Sequence, residues 1–148
     1  MRIAQCSDSF LPVVDGVSRV VYQYAQALSL SGHECYVITP LQNSGYRGHH
    51  PFEIVDYLSL KIASVPQYPT GIATLDSHYM EHVSYLEPEL IHVHAPGLSG
   101  LEGLRLAEKL NVPTIGTFHS KYYDDFLRVT HSDILATLGS LYVADFSK

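Results

Sequence analysis

Tryptophan is absent from this chain, cysteine and methionine occur twice each, and lysine with arginine supply only nine of the 148 residues. Each shortage narrows the possibilities. Two cysteines cannot staple a small secreted fold; Cys6 and Cys35 both fall in apolar segments and read as buried free thiols of a reducing, cytoplasmic compartment. Nine basic residues against fifteen acidic ones leave a formal net charge of −6, and no run of Lys or Arg occurs. That argues against nucleic acid or an anionic membrane surface as partner of the whole chain. No apolar stretch reaches the ~18 residues of a transmembrane segment. The opening MRIAQCSD turns polar too soon for a signal peptide. The phosphate fingerprints G-x-G-x-x-G after the first strand and G-x-x-x-x-G-K-[ST] are missing, as is the G-x-S-x-G nucleophile elbow. A dinucleotide dehydrogenase, a P-loop NTPase and an elbow-type hydrolase are thereby disfavoured.

What the chain does have is apolar patterning. Apolar residues make up 46% and charged residues 16%, the balance of one globular domain (residues 1–148) large enough to bury a sizeable core. RIAQC, Arg2–Cys6, reads as a buried strand. Val17, Val20, Val21, Tyr24, Ala25 and Leu28 then recur at helical spacing, and Gly32 follows as a left-handed cap. CYVIT, Cys35–Thr39, is a second buried strand stopped by Pro40; residues 42–51 form a polar loop, and FEIVDYLSLKIASVP holds one or two short strands. A helix is predicted over Ile72–Leu86, with Leu75, Tyr79, His82, Val83 and Leu86 on one side. ELIHVHA is a third buried strand, broken by Pro96-Gly97. Ser99–Leu110 reads as a helix with Leu101, Leu104, Ala107 and Leu110 three apart, and VPTIGTFH as another buried strand. The remainder, Ser120–Lys148, is mostly helical, with Ile134, Leu135, Leu138, Leu141 and Tyr142 on its apolar side. Strands alternating with helices imply βαβ units. The predicted fold is α/β: a doubly wound, Rossmann-like parallel sheet of strand order about 3-2-1-4-5, with helices on both faces.

Such a sheet binds ligands beyond the C-terminal ends of its strands, where the winding reverses. Here the reversal falls beside the first strand. Three segments should converge there: the loop Asp8–Gly16, the loop His94–Gly100, and the strand end Phe118-His119-Ser120. Two of them open into helix N-termini, which favour anions through their N–H groups and dipole. Gly16 leaves room for close approach of a phosphate or a sugar. Asp15 is either an N-cap or a ligand contact.

The histidines and acids have plainer readings beside the functional ones. His92 and His94, two apart on a strand, share a face. With His119 they would imitate a metal cluster, but no H-x-x-x-H or acidic companion at ligand spacing is read beside them to support it, and no metal is expected. His92 reads as a packed, hydrogen-bonded histidine; His94 either lines the site or caps the loop; His119 is a site candidate by topology. His49 and His50 read as solvated. Asp124 and Asp125 diverge on a helix and, like Glu102, read as solvated acids near helix starts. Tyr122 and Tyr123 either stack on a sugar ring or pack.

Two long stretches carry a resemblance. FLPVVDGVSRVVYQYAQALSLSGHECYVITP and IHVHAPGLSGLEGLRLAEKLNVPTIGTFHS resemble the opening landmarks of glycosyltransferase family 4, whose members have the two-domain GT-B fold. The landmarks are a glycine-containing first loop, a helix followed by Gly-His-Glu, a His-x-His strand, a Pro-Gly loop and a strand ending in an aromatic residue and histidine. Their order and spacing match over essentially the whole chain. The resemblance implies transfer of a sugar from a nucleotide-sugar donor to an acceptor, with retention at the anomeric carbon and no metal cofactor. It implies that the donor diphosphate and sugar lie against the helix start Asp15, Gly16 and Val17, and that His119 is the catalytic contact with the transferred sugar. His94, Pro96, Gly97 and Ser120 would border a small-molecule, glycan or lipid acceptor. Family members also carry a second, nucleotide-binding domain with a Glu-x7-Glu motif, which 148 residues do not supply. The chain is therefore expected to be an incomplete N-terminal, acceptor-side half, inactive alone and partnered by that C-terminal domain. Two rival readings are a non-catalytic sugar- or phosphate-binding module and a metal hydrolase using His92, His94 and His119.

Overall fold

A computed structural model of the chain describes residues 1–41, 48–61, 69–119, 124, 127–128 and 130–146. The chain divides into two compact units, Met1–Thr117 and Phe118–Lys148. The first holds strand β1 (Arg2–Cys6), helix α1 (Gly16–Leu30), β2 (Glu34–Pro40), β3 (Glu53–Tyr57), the short β4 (Leu60–Lys61) and β5 (Pro69–Thr70), a 3-10 turn (Ala73–Leu75), α2 (Ser77–Leu86), β6 (Leu90–Val93), α3 (Leu98–Leu110) and β7 (Thr114–Gly116). Five strands form one parallel sheet in the order β3-β2-β1-β6-β7, while β4 and β5 make a separate antiparallel pair. Counting only the strands of the main sheet, this is the 3-2-1-4-5 order expected from the sequence, with the winding reversed at β1.

Side chains alternate across the sheet, and each face has its own cover. On one face Ile3, Cys35 and Val37 pack with Val21 and Ala25 of α1 and with Phe10 and Phe52. On the other, α3 lies almost flush on the strands: a Cβ at Gly103 would come within 2.8 Å of Val93 Cγ2 and 3.0 Å of Cys6 Sγ. Tyr57 and Tyr79 meet edge-to-face at 5.4 Å on that side. Both cysteines are buried and free. The α1 helix ends as predicted, with Gly32 at φ 89° just past the cap. Among the described residues no helix is long and apolar enough to cross a membrane.

Four expectations are corrected. The single helix over Ile72–Leu86 is broken, because Asp76 is extended (φ −97°, ψ 101°) and caps a helix that starts at Ser77, leaving Leu75 exposed. Helix α3 buries Ser99, Gly100, Glu102, Gly103, Leu106 and Ala107, not a stripe through Leu101, which is exposed. The close approach at Gly103 rotates that small-residue face onto the sheet. Strand β7 is an edge strand whose three residues are all exposed, so it is not buried on both faces. His50 is not solvated; it stacks on Phe52 (4.9 Å, 5° between planes) with Tyr22 edge-on at 5.4 Å.

In the second unit, helix α4 (Asp133–Phe146) buries only Ala136 among its described residues. Its predicted apolar side, Ile134, Leu135, Leu138, Leu141 and Tyr142, is exposed. The Asp125, Tyr122 and Tyr123 readings lie outside the described residues; Asp124 is exposed and helical.

Candidate functional site

The two central strands, β1 and β6, run side by side with Cys6 opposite Val93, so the loops that follow them leave the sheet together. The first loop bridges both helix starts through two adjacent residues. The Ser9 hydroxyl donates to Asp15 Oδ2 (2.6 Å), the N-cap of α1. Its neighbour Asp8 accepts the Ser99 N–H of α3 on Oδ1 (2.9 Å). The topology therefore does bring the Asp8–Gly16 and His94–Gly100 segments to one rim, as expected at a switch point.

Asp15 is a cap. Its carboxylate accepts from the Ser18 N–H (2.7 Å), and the Ser18 hydroxyl accepts from the Asp15 N–H (2.9 Å), a reciprocal capping box. Capping is thus one role that Asp15 fills. Val17 turns its side chain to the core, so only its backbone faces the helix start. Gly16, the first helical residue, is exposed, and a Cβ there would meet nothing within 4 Å. The first turn of α1 is thus open at its backbone, where N–H groups lie outside the i→i−4 ladder.

The second loop is more closed. His94 is fully buried and held by Gln5, Nε2 to Oε1 at 2.6 Å. His92 is buried beside it, with ring centroids 4.0 Å apart, and pairs through Nε2 with Thr117 Oγ1 at 2.7 Å. Tyr24 of α1 covers both, at 5.3 and 5.9 Å. Pro96 is buried and Gly97 partly so, while Leu98 is exposed. His119 belongs to the second unit, and Ser120 lies outside the described residues.

Under the first turn of α3 lies a polar core. Tyr57 and Ser99 share a hydrogen bond at 2.7 Å. Glu102, 4% exposed, accepts from the Tyr79 hydroxyl (2.9 Å) and from Arg105 Nε and Nη2 (2.6 Å each). It is therefore not the solvated acid its position suggested, but a buried carboxylate matched by a forked guanidinium. Its hydrogen bond holds the Arg105 pKa above the usual range. Burial pushes the Asp8 carboxyl above its ordinary range, while the Ser99 amide and hydroxyl and the Leu98 amide pull it back. Burial likewise raises the Cys6 thiol, helped by Glu102 and Asp8, and leaves it unreactive.

Sequence reasoning missed several features. One is a cleft of about 210 Å³ along the first two turns of α3, lined by Ile72, Ala73, Thr74, Leu98, Leu101, Glu102 and Arg105. Its walls come from segments far apart in sequence, so no local pattern announced it. Another is the pair His78 and His82, four apart on α2 and next to Glu53 and Asp56 of β3 in a second depression. That H-x-x-x-H spacing was readable. His82 Nε2 meets Glu53 Oε1 at 3.0 Å, but among the described residues no group of three His, Cys, Asp or Glu side chains is placed to hold a metal ion.

These features define a class: a doubly wound α/β domain whose β1 and β6 loops meet at one rim, with an open helix start and an apolar cleft. The chain belongs to glycosyltransferase family 4, whose family model matches residues 14–144. It is similar to a GDP-mannose-dependent alpha-mannosyltransferase of Mycobacterium tuberculosis (strain CDC 1551 / Oshkosh), 31% identical over 81% of this chain and 32% of that protein. It is also similar to the alpha-monoglucosyldiacylglycerol synthase of Acholeplasma laidlawii, 27% identical over 84% of this chain and 31% of that protein. A Streptococcus pneumoniae (strain ATCC BAA-255 / R6) protein of the same name is 27% identical over 84% of this chain and 28% of its own length. The chain spans about a third of the length of these curated relatives.

Proposed function

We propose that this chain is the acceptor-side part of a retaining glycosyltransferase that moves a sugar from a nucleotide-sugar donor to an acceptor. The observation that carries the reading is the open α1 start at Gly16, held at the same rim as the Gly97 turn in a chain of this family. Negative charge grows on the leaving diphosphate as the glycosidic bond to the donor breaks. Backbone N–H groups of Gly16 and Val17, at the positive end of α1, are suited to stabilise it. Asp15, occupied as a cap, would fix the direction of those groups. The acceptor would lie against Gly97 and the cleft along α3; buried His94 and Pro96 would shape that loop from beneath. His119 would orient the transferred sugar, and Ser120 would border the acceptor. The nucleotide would be held by a second domain, so the 148 residues alone would turn over no donor. The buried free cysteines suit a cytoplasmic setting.

The test is Gly16→Trp in the longer protein that carries this chain. The indole fills open space, so the melting temperature should hold while kcat/KM for the donor falls by about a hundredfold or more, the range of lost transition-state contacts. Unchanged kinetics would remove the first loop from the mechanism. Turnover of a nucleotide sugar by the purified 148-residue chain would refute the two-part site.

The metal-hydrolase reading loses ground on one observation. His92 and His94, two of its three ligands, are buried and engaged with Thr117 and Gln5.

A further inference from the structure

Gly97 presents an anomaly. It is the N-cap of α3, a position that favours Ser, Thr, Asp or Asn, and it has no capping side chain. Its backbone gives no reason for glycine: φ −94° and ψ −163° are extended values that any residue adopts. The reason is space. A Cβ at Gly97 would run into the Asp8 carboxylate, overlapping Oδ2 and lying 2.7 Å from Cγ. Asp8 already does the work of the missing cap, accepting the Ser99 N–H from 91 residues away in sequence. Its Oδ2 is buried, and among the described residues nothing bonds to it.

We propose that Asp8 is a positioning residue which, with Ser9, clasps the starts of α1 and α3 together. This rests on the reading that both helix starts contact substrates. The α3 cap is supplied from the other loop, so neither loop can shift without losing a hydrogen bond. A local Ser or Asp at position 97 would cap α3 equally well but would leave the two loops independent. The clasp therefore fixes the distance between the donor wall at Gly16 and the acceptor turn at Gly97.

A cycle of variants separates clasp from cap, measured first in this chain by thermal melting and amide hydrogen exchange. Asp8→Ala loses the cap, and Gly97→Ser in the native background clashes with the carboxylate; each should lower the melting temperature. In Asp8→Ala/Gly97→Ser the new serine occupies the vacated space and caps α3 locally, so melting should return to within about 2 °C of wild type. Exchange of the amides in residues 9–15 should nevertheless stay about tenfold or more faster than wild type, because the tie between loops is gone. Asp8→Asn, which keeps an acceptor for the Ser99 amide, should preserve the wild-type exchange. Two results would overturn the proposal: a double variant whose loss equals the sum of the single losses, or a double variant with wild-type exchange in residues 9–15. In the longer protein the double variant should raise the acceptor KM while remaining stable. If the wild-type longer protein transfers no sugar, the functional reading fails while the exchange result still decides the clasp.

Discussion

At the scale of single residues, two side-chain positions carry effects out of proportion to their size. Asp8 has a folded pKa above its unfolded value because burial disfavours its charge. Between those values the folded state binds more protons than the unfolded state, so this group's contribution to stability falls as pH rises from about 4 through the raised pKa, then levels off. Asp8→Asn cannot titrate. The stability of wild type relative to Asp8→Asn, from urea midpoints, should therefore decline across that window. The buried Cys6 of β1 and Tyr57 of β3, whose pKa values burial raises, face this region and are common to both proteins, so their titrations cancel to first order; the Glu102–Arg105 ion pair of α3 is likewise unchanged. A relative stability that rises with pH would mean that the Ser99 and Leu98 donors outweigh burial. Gly103 is the second position. Val at 103 would drive branched carbons into Val93 and Cys6, and overpacking of this kind costs about 1–3 kcal/mol. Chemical denaturation of Gly103→Val should show that loss, whereas Leu104→Val on the neighbouring, less buried position should cost less.

At the scale of elements, Asp76 decides where α2 begins and where it sits. Oδ1 accepts the His78 and Tyr79 amides (3.0 and 3.1 Å), and Oδ2 accepts the Leu58 amide just past β3 (2.7 Å). Asp76→Ala should cost about 1–2 kcal/mol through the lost cap and tie. The Tyr79 and Leu58 amides hold its pKa below the usual range. Its contribution is thus present above the unfolded pKa and fades as pH falls through the lowered folded value. A wild-type minus Asp76→Ala difference that stayed undiminished as the pH was lowered through and below the ordinary aspartate range would contradict this. Elements also show what was legible. Strands β1, β2 and β6 are short apolar runs punctuated by turns, buried on both faces, and this pattern disclosed both their identity and the sheet order. The buried face of α3 was hidden because Ser99, Glu102 and Gly103 are not apolar; their burial follows from a flush approach and an ion pair that only the packing reveals. The Asp8 contact was hidden for another reason: hydrogen bonds between loops 91 residues apart leave no periodic trace. At Asp15 the residue type narrowed the role to two, and the capping geometry shows the first of them.

At the scale of the whole molecule, apolar surface remains uncovered. Ile134, Leu135, Leu138, Leu141 and Tyr142 of α4 are between 45% and 74% exposed, on a helix whose acidic ends are Asp133 and Asp145. Five large side chains at spacings of one, three and four form a face wide enough to act as an association surface in water. The chain spans about a third of the length of its curated relatives. A net charge of −6 spread over the chain opposes close association only weakly at physiological salt, where screening acts over about 8 Å. The purified chain should therefore associate with rising concentration and bind a hydrophobic dye. Leu138→Lys with Leu141→Lys places two charges in the middle of the face without touching a buried residue, since Ala136 is the buried member of that helix. Sedimentation of the double variant should shift toward the monomer, and dye binding should drop, with the melting temperature unchanged. Equal association of both forms would mean that the contact lies elsewhere on the chain, and a fall in melting temperature would mean that the α4 face is already covered within it.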